Sequence, residues 1–91
     1  MSWLIQIQPK AHRDLAWFRK QDRNLYIKCF DLIRNLTIDP RTGLGKPERL
    51  RHQKRGEVWS RRISQEHRLV YVIEQADEKV AIISCKSHYG D

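Results

Sequence analysis

The sequence predicts a single α+β domain: an N-terminal strand and two α-helices packed on one face of a mostly antiparallel sheet of four to five strands. Three observations carry this expectation. Leu25, Cys29, Leu32, Ile33 and Leu36 recur at i, i+4, i+7, i+8 and i+11, which is a helical stripe. Residues 57–71, EVWSRRISQEHRLVY, read as two short strands joined by a polar turn. Val80 to Cys85, VAIISC, is a continuous apolar run of the kind that is buried on both faces of a sheet. One strand, then helices, then strands in succession gathers the helices on one face and leaves the other open.

Taken in order, Trp3 to Ile7 is short and β-rich and forms the first strand. Pro9 stops it and suits the first turn of a helix, on which Ala11, Leu15 and Phe18 recur at helical spacing. Asp22 is placed to cap the second helix, the one with the stripe. Asp39-Pro40 ends it, because a residue before proline avoids the α region. RTGLGKP (41–47) is a loop, Glu48 to Arg51 a short strand, HQKRG a turn, and Gln75 to Glu78 another turn ahead of the apolar run, which belongs in the middle of the sheet.

Ninety-one residues suffice for one core and not for two, so residues 1–91 form one domain. The 18 Lys and Arg against 11 Asp and Glu leave a net charge of +7, which points to a polyanion or an acidic protein as partner. Cys29 and Cys85 lie far apart, each inside an apolar run, and are expected as buried free thiols. Neither a CxxC pair nor zinc spacing is present. MSWLIQIQPK carries no basic leader and no apolar segment of signal or membrane-span length, so a cytoplasmic location without a membrane partner is expected.

The hairpin is where the charge is concentrated. With Ser64-Gln65-Glu66 as the turn, the register sets Arg62 opposite Arg68 on one face. Like charges facing across a ladder repel, so an anion is the expected visitor on that free face. The other face carries Trp59, Ile63, Leu69, Tyr71 and Ile73 and reads as core. Arg61 and His67 share its parity and are expected near its edge. No metal constellation, phosphate-cradling glycine loop or nucleophile elbow accompanies these residues. Acid–base work on a phosphate, with arginines neutralising developing charge, is the chemistry left. RNA suits it, because the 2′-OH supplies the nucleophile that DNA lacks.

GKPERLRH (Gly45 to His52), WSRRISQEHRLVY (Trp59 to Tyr71) and Ser87-His88-Tyr89 resemble the signatures of the YoeB/Txe family, toxins of bacterial toxin–antitoxin modules within the RelE superfamily of ribosome-dependent mRNA endonucleases. The likeness runs over essentially the whole chain and implies a RelE-like, microbial ribonuclease-like fold. It further implies cleavage of mRNA in the ribosomal A site without a cofactor, leaving a 2′,3′-cyclic phosphate, and a cognate acidic antitoxin of the YefM/Phd type. Contacts with rRNA, and with operator DNA through the antitoxin complex alone, follow from the same likeness; homodimer formation is left open.

By that resemblance Glu48 corresponds to the general base on the 2′-OH and His88 to the general acid for the 5′ leaving oxygen. Arg68 corresponds to the arginine that stabilises the transition state, Arg62 and Arg51 to phosphate binders, and Tyr89 to the tyrosine that stacks on the substrate nucleotide. Glu66 and His67 are expected to shape the turn and brace Arg68, and His12 to be surface. Three departures stand out: Arg51 where lysine is common, one extra residue in the turn before Trp59, and the extension Gly90-Asp91. The extension sets two negative charges beside His88, which either raise its pKa or repel the RNA backbone. The alternative function is an inactive module of the same fold that only binds RNA or antitoxin; Glu48 and His88, which a pure binder does not need, separate the two.

Overall fold

A computed structural model describes residues 2–51, 54 and 56–86. Its elements are β1 (Leu4–Ile7), α1 (Pro9–Gln21), α2 (Arg23–Ile38), β2 (Glu48–Leu50), β3 (Glu57–Arg62), β4 (Arg68–Glu74) and β5 (Lys79–Ser84). A 3₁₀ turn, Gln75–Asp77, joins β4 to β5. The five strands form one sheet in the order β1-β5-β4-β3-β2. β2 to β5 are an antiparallel meander, and β1 lies parallel to β5 at its free edge. The expected class, helices on one face of a mostly antiparallel sheet, is the observed one.

The helices form where the sequence places them. Pro9 occupies the first turn of α1, where its missing N–H costs nothing. Asp22 closes α1 through its N–H to the Phe18 carbonyl (2.8 Å) and opens α2 by accepting the Leu25 N–H on Oδ1 (3.2 Å). Ala11, Leu15 and Phe18 of α1 and Cys29, Leu32, Ile33 and Leu36 of α2 meet Leu69, Tyr71, Ile73, Val80 and Ile82 of the sheet in the main core. Each fully buried aliphatic or aromatic side chain there contributes about 1.5–3 kcal/mol. Cys29 and Cys85 are both buried free thiols in this core. The neighbouring Cys29 thiol, followed by burial, pushes the Cys85 thiol well above its ordinary pKa.

Three expectations change. The sheet face away from the helices is not bare: Val58, Val70 and Val72 are buried there, with Leu50 and Ile83 packed against them. The odd-numbered residues of the hairpin face the helices, as expected, and its even-numbered valines form a second, smaller core on the other side. The apolar run of β5 is interior, between β1 and β4, yet Ile83 and Ser84 are only half-buried. The cause is a bulge: Val70 pairs with Ser84 while Tyr71 pairs with Ile82, leaving Ile83 as the extra residue. Finally, β2 stops at Leu50, and Arg51 is a bend.

Candidate functional site

The register of the meander assembles the site. Arg62 and Arg68 are paired partners across β3 and β4, as expected, and the Ile63 N–H donates to the His67 carbonyl (3.0 Å) to close the Ser64-Gln65-Glu66 turn. Glu48 is paired with Ser60, which is paired with Val70. Residues directly opposite share a face, so Glu48 lies on the face of Arg62 and Arg68, one row in from them. Glu48 and Arg62 are diagonal neighbours on adjacent strands, a relation that spans about 7–8 Å, and Arg68 lies one strand further on. β5 ends at this same end of the sheet, since Ser84 pairs with Val70. Glu48 and Arg62 are exposed and Arg68 is half-buried. Among the described residues, neither Glu48 nor the Arg62 side chain has a hydrogen-bond or ion-pair partner.

Arg51 is not brought into that row. β2 runs away from the Arg62 end, with Leu50 opposite Val58, so exposed Arg51 starts roughly 10 Å along the chain from Glu48. His88 and Tyr89 lie outside the described residues. His12 is exposed on α1, as expected.

Arg68 is held differently from what the sequence suggests. Its Nη1 donates to the turn carbonyls of Ser64 (2.7 Å), Gln65 (3.3 Å) and His67 (3.2 Å), so the brace is the backbone of the turn and not the Glu66 carboxylate. Ser64 Oγ in turn accepts the Glu66 and His67 N–H groups (3.2 and 3.1 Å). His67 is buried at 7 % exposure, its ring edge-on to Phe18 at 5.1 Å and to Trp17 at 6.2 Å, which anchors the turn to α1. Its Nε2 also lies 3.9 Å from Glu66 Oε1.

Arg61 is the largest departure. Instead of lying near the edge of the core face it is fully buried, at 0 % exposure. Nη1 donates to Asn35 Oδ1 and to the Leu44 carbonyl, Nη2 to the carbonyls of Asp39 (2.7 Å) and Thr42 (2.9 Å), and Nε to the Tyr71 hydroxyl (3.1 Å). The Tyr71 hydroxyl in turn donates to the Pro40 carbonyl (2.6 Å), and burial raises its pKa. Arg61 thus gathers the carbonyls of the loop that leads into β2. The Arg62 N–H then takes the Gly45 carbonyl (2.6 Å). Gly45 sits at φ +80°, where a Cβ would meet Leu32 Cδ2 at 2.8 Å and the Arg62 carbonyl at 3.1 Å. Lys46 adopts a positive φ of 49°. Three residues after Gly45 comes Glu48, so this loop sets where the carboxylate begins. The sequence signal was available: two adjacent arginines in an alternating strand force one inward, opposite a glycine-punctuated loop that has carbonyls to spare.

Behind the loop, Arg41 clamps Glu57 with two bonds (Nε to Oε2 2.8 Å, Nη2 to Oε1 2.9 Å) and the Trp59 Nε1 donates to Glu57 Oε2 (2.9 Å). The Arg41 bond, foremost, holds the Glu57 carboxyl below its ordinary pKa and raises that of Arg41. The arrangement at the Glu48 end is a carboxylate and two guanidiniums on one sheet face, suited to binding a phosphodiester and to moving a proton beside it.

Residues 7–89 match the family described as YoeB-like toxin of bacterial type II toxin-antitoxin system. The chain is 47 % identical over 76 residues to the toxin YoeB of Synechocystis sp., covering 84 % of this chain and 85 % of that protein. Its fold superposes on the YoeB/ParE toxin from Agrobacterium tumefaciens with a TM-score of 0.86 at 36 % identity, over 94 % of this chain and 99 % of that one. The YoeB of Staphylococcus aureus matches both as a dimer (TM-score 0.83, 36 % identity, 98 % and 100 % covered) and in a heterotetrameric YoeB-YefM complex (0.79, 34 %, 98 % and 100 %). With both sequence and fold in agreement over nearly its whole length, this chain belongs to the YoeB-like toxins of bacterial type II toxin–antitoxin systems.

Proposed function

We propose that the chain is an endoribonuclease that cleaves mRNA in the ribosomal A site and so arrests translation. Glu48 takes the 2′-OH proton; the 2′ oxygen attacks the adjacent phosphorus, and the P–O5′ bond breaks as His88 gives its proton to the departing oxygen. The products are a 2′,3′-cyclic phosphate and a 5′-hydroxyl, with one proton taken up and one released. Arg68 and Arg62 neutralise charge on the phosphorane-like transition state, Tyr89 stacks on the nucleotide, and Arg51 contacts a phosphate further along the strand. The observation that carries this reading is the placement of Glu48 on the sheet face of Arg62 and Arg68, at the end where β5 leads on toward His88. An acidic antitoxin like the YefM seen with the Staphylococcus aureus toxin is the proposed neutralising partner, and that toxin's dimer makes self-association part of the same proposal.

The test is to add purified protein to programmed ribosomes and map mRNA ends with and without EDTA. Cuts at the A-site codon ending in a 2′,3′-cyclic phosphate, undiminished by EDTA, are expected. Glu48→Gln and His88→Ala should each lose about 10²-fold or more, and His12→Ala little. Ribosome binding without cuts would make the chain an inactive binding module. Equal losses in His12→Ala and His88→Ala would remove the site assignment.

A further inference from the structure

The buried carboxylate of Asp14 belongs to none of the roles above. It is 6 % exposed on α1, a position where a charge requires partners. Its Oδ2 accepts the backbone N–H of Cys85 (2.9 Å) and of Lys86 (3.2 Å), and receives Lys10 Nζ at 2.9 Å. The two N–H groups are the first beyond β5, past the last strand pairing among the described residues. The Lys86 ammonium lies 4.3 Å from the centre of the Trp17 ring, one helical turn along α1 from Asp14. Trp17 in turn packs against His67, in the turn whose carbonyls hold Arg68. One face of α1 therefore grips both the chain that leaves β5 and the hairpin that presents the guanidiniums.

We propose that Asp14 is a positioning residue for catalysis: by fixing the Cys85 and Lys86 amides it sets the origin from which His88 is presented to the leaving oxygen. Two peptide links reach at most about 7 Å, so the place of Lys86 limits where His88 can act. The Lys10 bridge is half-exposed on the lysine side and serves the carboxylate rather than the tail. The inference rests on the reading of His88 as the general acid, and it predicts a defect in turnover rather than in ribosome binding.

The experiment compares Asp14→Ala, Asp14→Asn and Lys10→Gln, each alone and with His88→Ala, by single-turnover cleavage on programmed ribosomes. Thermal unfolding and amide exchange at Cys85 and Lys86 are followed in parallel. Asp14→Ala should release both amides and lower kcat by about tenfold to a hundredfold, with KM changed by less than about threefold. Asp14→Asn keeps one acceptor oxygen and should recover most of that loss, which guards against a simple folding defect in the alanine variant. Lys10→Gln should cleave within about twofold of the parent. In the His88→Ala background, Asp14→Ala should cost nothing further, because the group it positions is gone. Released amides with full kcat, a loss confined to KM, a loss additive with that of His88→Ala, or an equal loss in Lys10→Gln would each overturn the proposal. If His88→Ala alone cleaves like the parent, the general-acid reading itself fails, and that outcome is visible before Asp14 is altered.

Discussion

Arg62 and Arg68 face one another across a ladder, but among the described residues only the Arg68 side chain is bonded to the protein. Facing like charges destabilise a sheet by a few tenths of a kcal/mol. For Arg68 that repulsion is outweighed: its Nη1 bonds to turn carbonyls, and charge-assisted bonds of this kind contribute about 1.5–3 kcal/mol when shielded and less where water competes. Arg62 is exposed, and among the described residues its side chain has no partner to lose. The two therefore separate in a paired measurement. Arg68→Gln should lower stability by about 1–2 kcal/mol, since glutamine cannot reach the same carbonyls. Arg62→Gln should leave the fold unchanged or more stable by up to about 1 kcal/mol. Both should cut cleavage by about two orders of magnitude under the proposed function. Thermal unfolding in phosphate-free buffer decides it. Equal stability in the two variants would mean that the turn does not depend on Arg68.

The loop from Asp39 to Gly45 is an element without regular structure that is nonetheless fixed, because a buried guanidinium spends its donors on it. Lysine in place of Arg61 keeps the charge but offers a single ammonium, which cannot span Asn35, Tyr71 and three carbonyls at once. Arg61→Lys should destabilise the fold by about 3 kcal/mol or more, the cost of stranding buried acceptors and an under-bonded charge. Denaturant unfolding measures this; a loss below about 1 kcal/mol would show that the loop holds itself. The contrast with α2 explains what the sequence made legible. The α2 stripe repeats at 3.6 residues and needs no distant partner to be read, and the Arg62–Arg68 pairing follows from turn length and a period of two. Arg61 obeys the same parity, and parity placed it on the core face. Its burial depends on carbonyls supplied from residues about twenty positions earlier, and Asp14 depends on amides about seventy positions later; neither leaves a periodic trace. Val58, Val70 and Val72 escaped notice for a different reason: they share the face of Arg62 and Arg68, and that charged pair marked the whole face as polar.

At the scale of the molecule, the meander does the gathering. An antiparallel meander puts the start of β2, the end of β3, the start of β4 and the end of β5 at one end of the sheet, so motifs spread from Glu48 to Lys86 converge without any long excursion of the chain. Onto that end the protein brings part of a net charge of +7. A phosphate bound there displaces counterions, so affinity for a single-stranded RNA carrying a 2′-deoxy block at the cleavage site should fall linearly in log–log form with salt. Each arginine in direct contact contributes about 0.7–1 unit to the slope. Arg62→Gln, which removes a side chain with no partner among the described residues, should therefore reduce the slope by about one without lowering the unfolding midpoint. Arg13→Gln, which removes an exposed positive charge on α1, should leave the slope nearly unchanged. Fluorescence titrations from about 50 to 200 mM salt measure both. An equal reduction by the two substitutions would mean that RNA responds to the overall positive field and not to the Arg62–Arg68 face, and the placement of the substrate on that face would have to be given up.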